Sequence, residues 1–253
     1  MNPTTTVRAP SAWLRRFHPS DEAPVRLFCF PHAGGSASYY FPVSRSLAPA
    51  ADVVAVQYPG RQDRRAEPCV ADVRDLADLV TAEMLPWCDR PVALFGHSLG
   101  ATLGFEVALR LEAAGITPLT LFASGRRAPS HHRENEKVHL APDAQLLSTI
   151  RRMSGTDPAV LADEELLRAV LPAIRGDYRA AETYRYHPGK ALTCPITVLN
   201  GDTDPEVTPQ EATGWTTHTD GPCSFRTFPG GHFYLNDHAA EVIELIRERM
   251  RSA

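Results

Sequence analysis

Residues 91–100 read Pro91-Val92-Ala93-Leu94-Phe95-Gly96-His97-Ser98-Leu99-Gly100. The apolar run Pro91–Phe95 predicts a short buried strand, and Leu99–Ala114 predicts a helix that Gly115 ends. A Gly-x-Ser-x-Gly sequence between a strand and a helix is typical of a sharp turn that exposes the serine hydroxyl at the carboxyl edge of a parallel sheet. The stretch therefore predicts an α/β-hydrolase fold in which Ser98 is the nucleophile.

Predicted strands and helices alternate on both sides of this turn. The other predicted strands are Val25–Phe30, Val53–Val56, Pro118–Ala123, Pro195–Leu199 and Ser224–Phe228, and the other predicted helices are Tyr39–Leu47, Asp72–Leu85, Pro209–Thr217 and His238–Arg251. Such alternation is typical of βαβ units and indicates a mostly parallel central sheet flanked by helices.

The alternation breaks between Gly125 and about Lys190, where strand patterns disappear. Helical stretches near Asp143–Met153 and Asp163–Tyr184 predict an all-helical insertion there. We therefore predict three parts of the chain. Residues 25–124 and 191–253 form the α/β-hydrolase core, residues 125–190 form an inserted helical lid, and residues 1–24 form an N-terminal lead-in that is frayed or becomes ordered late.

The composition is that of an ordinary globular protein. The 253 residues are 43% hydrophobic and 22% charged, and the net charge of −4 argues against general nucleic-acid binding. No apolar run is long enough to cross a membrane, and residues 1–24 lack the apolar segment of a secretory signal. The five cysteines are scattered without a Cys-x-x-Cys pair, which argues against a disulfide framework and a common zinc site. We expect a cytoplasmic protein with no membrane or nucleic-acid partner.

A serine hydroxyl needs a base to remove its proton, and the sequence contains ten histidines as candidates for this base. In α/β-hydrolases the chain order is Ser, then the acid, then His, with the histidine in a loop after the last strand. His232 meets this condition, because two glycines and a predicted strand precede it and a helix follows. His97 is expected to point elsewhere, and His238 to cap or flank the final helix. Five histidines that lie in polar stretches are expected to face solvent: His131, His132, His139, His187 and His218.

The acid should follow a strand and face the histidine. Asp202 and Asp204 both follow the predicted strand Pro195–Leu199. We predict Asp204, because Asp202 lies in a Gly-Asp-Thr turn, where an aspartate commonly bonds to its own backbone. The alternative that both carboxylates only shape the turn stays open.

Two backbone N–H groups are needed to bind the developing oxyanion. Leu99, the residue after the nucleophile, is predicted to supply one of them. Ala33, in the glycine-rich loop Pro31–Gly35, is predicted to supply the other. His32 is interpreted as a residue that fixes this loop.

Five stretches together resemble the type II thioesterases of polyketide synthase and nonribosomal peptide pathways, which serve antibiotic biosynthesis. They are Phe30-Pro31-His32-Ala33-Gly34-Gly35-Ser36, Tyr58-Pro59-Gly60-Arg61, Gly96-His97-Ser98-Leu99-Gly100, Ser124-Gly125-Arg126-Arg127-Ala128-Pro129 and Gly230-Gly231-His232-Phe233. The resemblance implies an editing enzyme that hydrolyses stalled or aberrant acyl groups from the phosphopantetheine arm of acyl or peptidyl carrier proteins. It also implies an acyl-serine intermediate, a helical lid, and no metal or other cofactor besides the arm that the partner presents.

Carrier proteins are generally acidic, so a local basic surface is expected to bind them. The arginines at positions 61, 64 and 65 form one candidate surface, and those at 126, 127 and 133 form another; a merely solvated charged face is the alternative. The lid residues Leu146, Leu147, Ile150 and Met153 are read as packing residues rather than as the lining of an acyl pocket.

Three other functions stay open at this point. The first is a small-molecule esterase, lipase or peptidase of the same fold, which would need no docking surface. The second is a chain-terminating type I thioesterase. The third is a binding module without catalytic activity, against which the set Ser98, Asp204 and His232 argues.

Overall fold

The computed structural model describes residues 11–153 and 164–251, which are built around a seven-stranded sheet. Its strands are β1 (Leu14–Arg15), β2 (Arg26–Phe30), β3 (Asp52–Val56), β4 (Val92–His97), β5 (Leu121–Ser124), β6 (Ile196–Gly201) and β7 (Cys223–Phe228). The strand order is β1-β3-β2-β4-β5-β6-β7, and every neighbouring pair except β1 and β3 is parallel. The prediction of a mostly parallel sheet is confirmed.

Helices connect the strands and cover the sheet. They are α1 (Phe41–Leu47), α2 (Val73–Met84), α3 (Leu99–Ala113), α4 (Asp143–Met153), α5 (Glu164–Thr183), α6 (Pro209–Thr213), α7 (Tyr234–Asp237) and α8 (Ala239–Arg251). Two predicted helices are partly 3₁₀: residues Ala37–Tyr40 precede α1, and residues Gly214–His218 follow α6. None of the helices in the described ranges is both long and apolar enough to cross a membrane.

The central strands are buried on both faces, which explains their continuous apolar runs. In β2, Phe28 and Phe30 face a core that contains residues of α2 and α3, whereas Leu27 and Cys29 face a core formed with α1 and α8. Successive side chains of a strand point to opposite faces, so one short strand contributes to both cores. This packing holds the carboxyl ends of the parallel strands at one edge.

The N-terminal segment is ordered against the sheet from residue 11. Strand β1 pairs antiparallel with β3, so Leu14 lies opposite Val56. The buried carboxylate of Asp52 then accepts hydrogen bonds of 2.8 Å from both Arg16 Nε and Arg26 Nε. The expectation of a frayed lead-in is therefore wrong for residues 11–24, because long-range pairing orders a segment that lacks local periodicity. Residues 1–10 lie outside the described residues.

Helices α4 and α5 lie between β5 and β6 in the chain, and the described residues from 125 to 195 add no strand to the sheet. Leu146 and Ile150 of α4 pack against Leu171 and Ile174 of α5, and Leu147 packs against this cluster. The packing interpretation is thus confirmed for Leu146 and Leu147. The side chain of Met153 lies outside the described residues, and the division into core and lid stays a prediction.

Candidate active site

The turn between β4 and α3 places Ser98 in a backbone conformation that L-residues rarely adopt. Its φ is 55° and its ψ is −119°, and the residue is half-buried. A Cβ on Gly96 would overlap the backbone of Gly100, and a Cβ on Gly100 would overlap the carbonyl of Phe30. Glycine is therefore required on both sides of the serine, because strand and helix meet there without space for side chains. Strained backbone of this kind is concentrated at functional sites.

His232 and Asp204 meet at the ends of the last two strands. His232 Nδ1 lies 2.9 Å from Asp204 Oδ2, and their side chains are 4% and 0% exposed. The other carboxylate oxygen, Oδ1, accepts a hydrogen bond of 2.8 Å from the backbone N–H of Glu206. A proton on Nδ1 that is donated to the carboxylate leaves the Nε2 lone pair as an acceptor. Ser98 and His232 line one cavity, so the structure brings the three predicted residues to one place.

Asp202 lies two residues from Asp204 but has a different role in the structure. Its Oδ1 accepts a hydrogen bond of 2.8 Å from Gly230 N–H, and its own N–H donates to Phe228 O at 2.9 Å. Its carboxylate thus holds the loop that carries His232 rather than the imidazole itself. Asp202 is thus not the acid, but its contact differs from the predicted one: its partner Gly230 lies 28 residues away, and the bond to the backbone two residues on is made by Asp204 with Glu206 N–H.

The loop after β2 contributes Ala33 to the same cavity. Neither Ala33 N–H nor Leu99 N–H donates a hydrogen bond to a described residue, and Leu99 is the first residue of α3, where N–H groups have no partner inside the helix. A tight turn closes the loop, since Gly35 N–H donates to His32 O at 2.9 Å. The buried His32 ring packs between the rings of Tyr39 and Phe233, with centroid distances of 4.8 Å to each. Two unused N–H donors are therefore present beside Ser98.

A second histidine, His97, packs against the ring of His232 in the protein interior. Its ring is fully buried, lies 4.9 Å from the ring of His232, and binds Ser124 Oγ through Nδ1 at 2.9 Å. Ser124 Oγ in turn lies 2.6 Å from the hydroxyl of Tyr234. Burial lowers the pKa of His97 well below its ordinary value, so the ring is neutral and places no cation beside His232. Sequence reasoning missed Ser124 and Tyr234, because nothing in their spacing links them to the site.

The cavity above Ser98 has a volume of about 370 Å³. Its walls come from the loop after β2, the segment after β5, helices α4 and α5, and the turn that carries Glu206. Ile150 of α4 and Ile174 and Tyr178 of α5 form its apolar part. Ile150 therefore both packs and lines the cavity, which the packing interpretation alone did not predict.

One histidine expected in solvent is buried. His218 is only 1% exposed, and its ring packs against Phe105, Tyr186 and Trp215 at centroid distances of 4.7 to 6.0 Å. The expectation is wrong for His218, because two of the aromatic residues that surround it, Phe105 and Tyr186, come from distant segments. His131 and His187 are exposed as expected, whereas His132 and His139 are half-buried.

The first predicted basic surface does not exist as a surface. Arg61 and Arg64 are 7% and 5% exposed; Arg61 pairs with Asp177, and Arg64 pairs with Glu67. Only Arg65 of this group is exposed. The prediction of a docking surface here is wrong, since both guanidinium groups are used in internal ion pairs.

The second predicted basic surface is also mostly internal. Arg127 is buried and pairs with Glu136, and Arg133 pairs with Glu211 at 2.6 Å. Arg126 lines the cavity and donates from Nε to Thr102 Oγ1 at 3.0 Å. Burial lowers the pKa of Arg126 to about 10, which still leaves it charged at neutral pH.

A mostly parallel sheet, a strand–serine–helix turn and a carboxylate–histidine pair at the ends of the following strands define this protein as an α/β-hydrolase. Within that class, the thioesterase domain family matches residues 25–250, and the chain belongs to this family. It is therefore a hydrolase.

Relatives of the chain come from biosynthetic clusters. It is 55% identical over 242 residues to a probable cadicidin biosynthesis thioesterase of Streptomyces griseus, covering 95% of this chain and 67% of that protein. It is 51% identical to the thioesterase PikA5 of Streptomyces venezuelae, covering 94% and 85%. The structure of the type II thioesterase BorB from the borrelidin biosynthetic cluster matches with a TM-score of 0.91 and 52% identity, covering 96% and 99%. The predicted resemblance to type II thioesterases is confirmed.

Proposed function

We propose that this protein is an editing thioesterase that releases stalled or aberrant acyl groups from the phosphopantetheine arm of acyl or peptidyl carrier proteins. The observation that carries the proposal is the buried 2.9 Å contact between His232 Nδ1 and Asp204 Oδ2, beside the cavity that contains Ser98. This contact orients the imidazole so that Nε2 can accept the proton of a serine nucleophile.

The proposed reaction has two halves. In the first, His232 Nε2 removes the proton of Ser98 Oγ, which attacks the thioester carbonyl; the carbon–sulfur bond breaks, and the thiolate takes the proton from His232. In the second, His232 removes a proton from water, the hydroxide attacks the acyl-serine, and Ser98 leaves as the protonated alcohol with the free acid as product. Asp204 stabilises the imidazolium in both halves. These steps use protein groups and water alone.

The oxyanion formed in each half needs preorganised donors. Ala33 N–H and Leu99 N–H support this role, because neither has an acceptor among the described residues, Leu99 follows Ser98 in the chain, and Ala33 lines the same cavity as Ser98. The N-terminus of α3 adds its partial positive charge to the same place.

The substrate class rests on the relatives and on the cavity. The Streptomyces griseus relative is named for cadicidin biosynthesis and BorB for the borrelidin biosynthetic cluster, which supports a biosynthetic thioester as the substrate. A cavity of about 370 Å³ lies at the small end of the range for small-molecule sites, which favours a short acyl group over a complete product chain. The small volume of the cavity therefore argues for editing over chain termination.

The decisive experiment compares an acyl-loaded carrier protein with the matching acyl-pantetheine fragment. We expect a higher kcat/KM for the carrier, whereas equal values would favour a small-molecule esterase. The Ser98→Ala variant should lose at least about 10⁴-fold in kcat and should no longer react with a fluorophosphonate. Ser38→Ala, at an exposed serine, is the matched control and should keep both. A native protein that does not label would instead indicate a binding module without catalysis.

A further inference from the structure

A buried ion pair joins helix α5 to the segment after β3. Arg61 Nη1 lies 2.7 Å from Asp177 Oδ2, and Arg61 Nη2 lies 2.8 Å from Asp177 Oδ1. The two side chains are 7% and 3% exposed. Two parallel bonds of this kind fix the orientation of both groups as well as their distance.

The same pair holds the loop that carries Ala33. Asp177 Oδ2 accepts a further hydrogen bond of 2.7 Å from Gly34 N–H, and Arg61 Nη1 donates to Gly35 O at 2.9 Å. Helix α5 also packs directly on this loop, since a Cβ on Gly34 would lie 2.9 Å from Ile174 Cγ1. The backbone that follows Ala33 is therefore attached to α5.

The backbone that precedes Ala33 is attached to the core of the sheet. Tyr58 Oη donates to Pro31 O at 3.0 Å, and Tyr40 Oη donates to Phe30 O at 2.8 Å. The Arg61 guanidinium lies over the Tyr58 ring, 5.1 Å from its centroid. Ala33 thus lies between an anchor in the core and an anchor in α5, and the direction of its N–H depends on both.

The charges of the pair also suit an oxyanion nearby. Asp177 binds Gly34 N–H, whereas the N–H of the cavity-lining residue Ala33 has no acceptor among the described residues. A lone carboxylate at this position would oppose the negative charge that develops on the substrate oxygen. Arg61 compensates that charge, so the loop gains a fixed acceptor without a net negative field.

We propose that Asp177 and Arg61 are positioning residues for the loop Pro31–Gly35, here called the oxyanion loop. Through this ion pair, the placement of α5 sets the direction of the Ala33 N–H. The inference rests on the oxyanion role given to Ala33 in the proposed function. Seating of α5 against the loop then becomes a condition for full catalysis. A donor that is slightly misdirected affects the transition state more than the bound substrate, since only the former carries the charge.

The test uses Asp177→Asn in the full chain, with Asp143→Asn as the matched control. Asp143 pairs with Arg175 within the α4 and α5 region but is exposed and makes no bond to the oxyanion loop. Hydrolysis of p-nitrophenyl butyrate should show a kcat about 10- to 100-fold lower for Asp177→Asn, with KM within about twofold. The affinity for an alkyl boronic acid, which forms a tetrahedral adduct with the serine, should fall by a similar factor. Asp143→Asn should change none of these values by more than about twofold.

A second variant separates positioning from loss of the fold. Arg61→Met/Asp177→Leu removes both charges together, so no unpaired ion is left buried. It should melt cooperatively and show the same selective loss of kcat and of boronic-acid affinity. Unchanged kcat in both folded variants, or a rise in KM at unchanged kcat, would overturn the inference. A native protein that hydrolyses the ester but not acyl-carrier thioesters would overturn the proposed substrate and leave the positioning test intact.

Discussion

At the residue scale, two aspartates that lie two positions apart do different work around one histidine. Asp204 contacts the His232 imidazole, whereas Asp202 accepts from Gly230 N–H and holds the loop. The difference follows from what each carboxylate contacts: Asp202 binds a backbone N–H 28 residues away, whereas Asp204 binds Glu206 N–H with one oxygen and His232 Nδ1 with the other. The two carboxylates therefore form a natural pair for mutagenesis.

We expect Asp204→Asn to lower kcat by about 10⁴-fold, because an amide cannot stabilise the imidazolium and favours the wrong tautomer of His232. Asp202→Asn is the matched control. Its side-chain oxygen still accepts from Gly230 N–H, so kcat should stay within about fivefold of the native value. Steady-state hydrolysis of a p-nitrophenyl ester measures both. Equal losses in the two variants would contradict the assignment of the acid.

At the element scale, the site depends on how closely α3 approaches β2 and β4. A Cβ placed on Gly100 would overlap the backbone of Phe30. One turn further along α3, a Cβ placed on Gly104 would approach only side chains, Leu121 Cδ1 at 3.2 Å and Phe30 Cδ2 at 3.4 Å. Backbone atoms of a central strand move little, whereas side-chain atoms shift by a few tenths of an ångström at small cost. The two glycines of one helix therefore differ in what they tolerate.

We expect Gly100→Ala to lower the free energy of unfolding by about 1–3 kcal/mol, since the helix must move away from β2. Gly104→Ala, in the same helix, gains about 1 kcal/mol of helix propensity and loses a similar amount to its tight contacts, so its stability should stay near the native value. Urea unfolding of both variants gives the comparison. A Gly100→Ala protein as stable as the native one would show that the turn between β4 and α3 has more space than its geometry indicates.

At the scale of the whole molecule, side chains from distant segments bury two histidines in surroundings that disfavour the charged form of the imidazole. Burial lowers the pKa of His218 to about 4. The folded protein thus binds fewer protons than the unfolded chain between that value and the ordinary value of about 6.5. The stability linked to His218 is complete above pH 6.5 and is lost as the pH falls towards 4. His97, also buried, acts in the same direction.

We expect the free energy of unfolding to decrease between pH 6.5 and 4, with His218 contributing up to about 1 kcal/mol per pH unit. His218→Phe keeps the aromatic packing and should reduce this slope, although His97 maintains part of it. His187→Gln, at an exposed histidine, is the control and should leave the slope unchanged. Denaturant titrations at several pH values measure the slopes, and an identical slope in His218→Phe and the native protein would contradict the assignment.

The sequence alone predicts the parallel sheet, the turn at Ser98, and Asp204 and His232 as the partners of the serine. These features leave local signals: apolar runs of strand length, glycines beside a serine, and a set order along the chain. Turn chemistry favoured Asp204 over Asp202 as the acid, and Asp204 does contact His232, although the local backbone bond expected of Asp202 is made by Asp204.

Which polar groups are buried depends on contacts between distant segments, and these contacts are visible only in the tertiary structure. Arg61 and Asp177 are 116 positions apart, yet they form one buried pair that reaches the oxyanion loop. Strand β1 and the burial of His218 likewise depend on partners from distant segments. A charged or aromatic residue looks the same in the sequence whether it faces water or a partner, because the contact that buries it has no local pattern. One arginine predicted as part of a docking surface, Arg61, is therefore an anchor of the loop that carries Ala33.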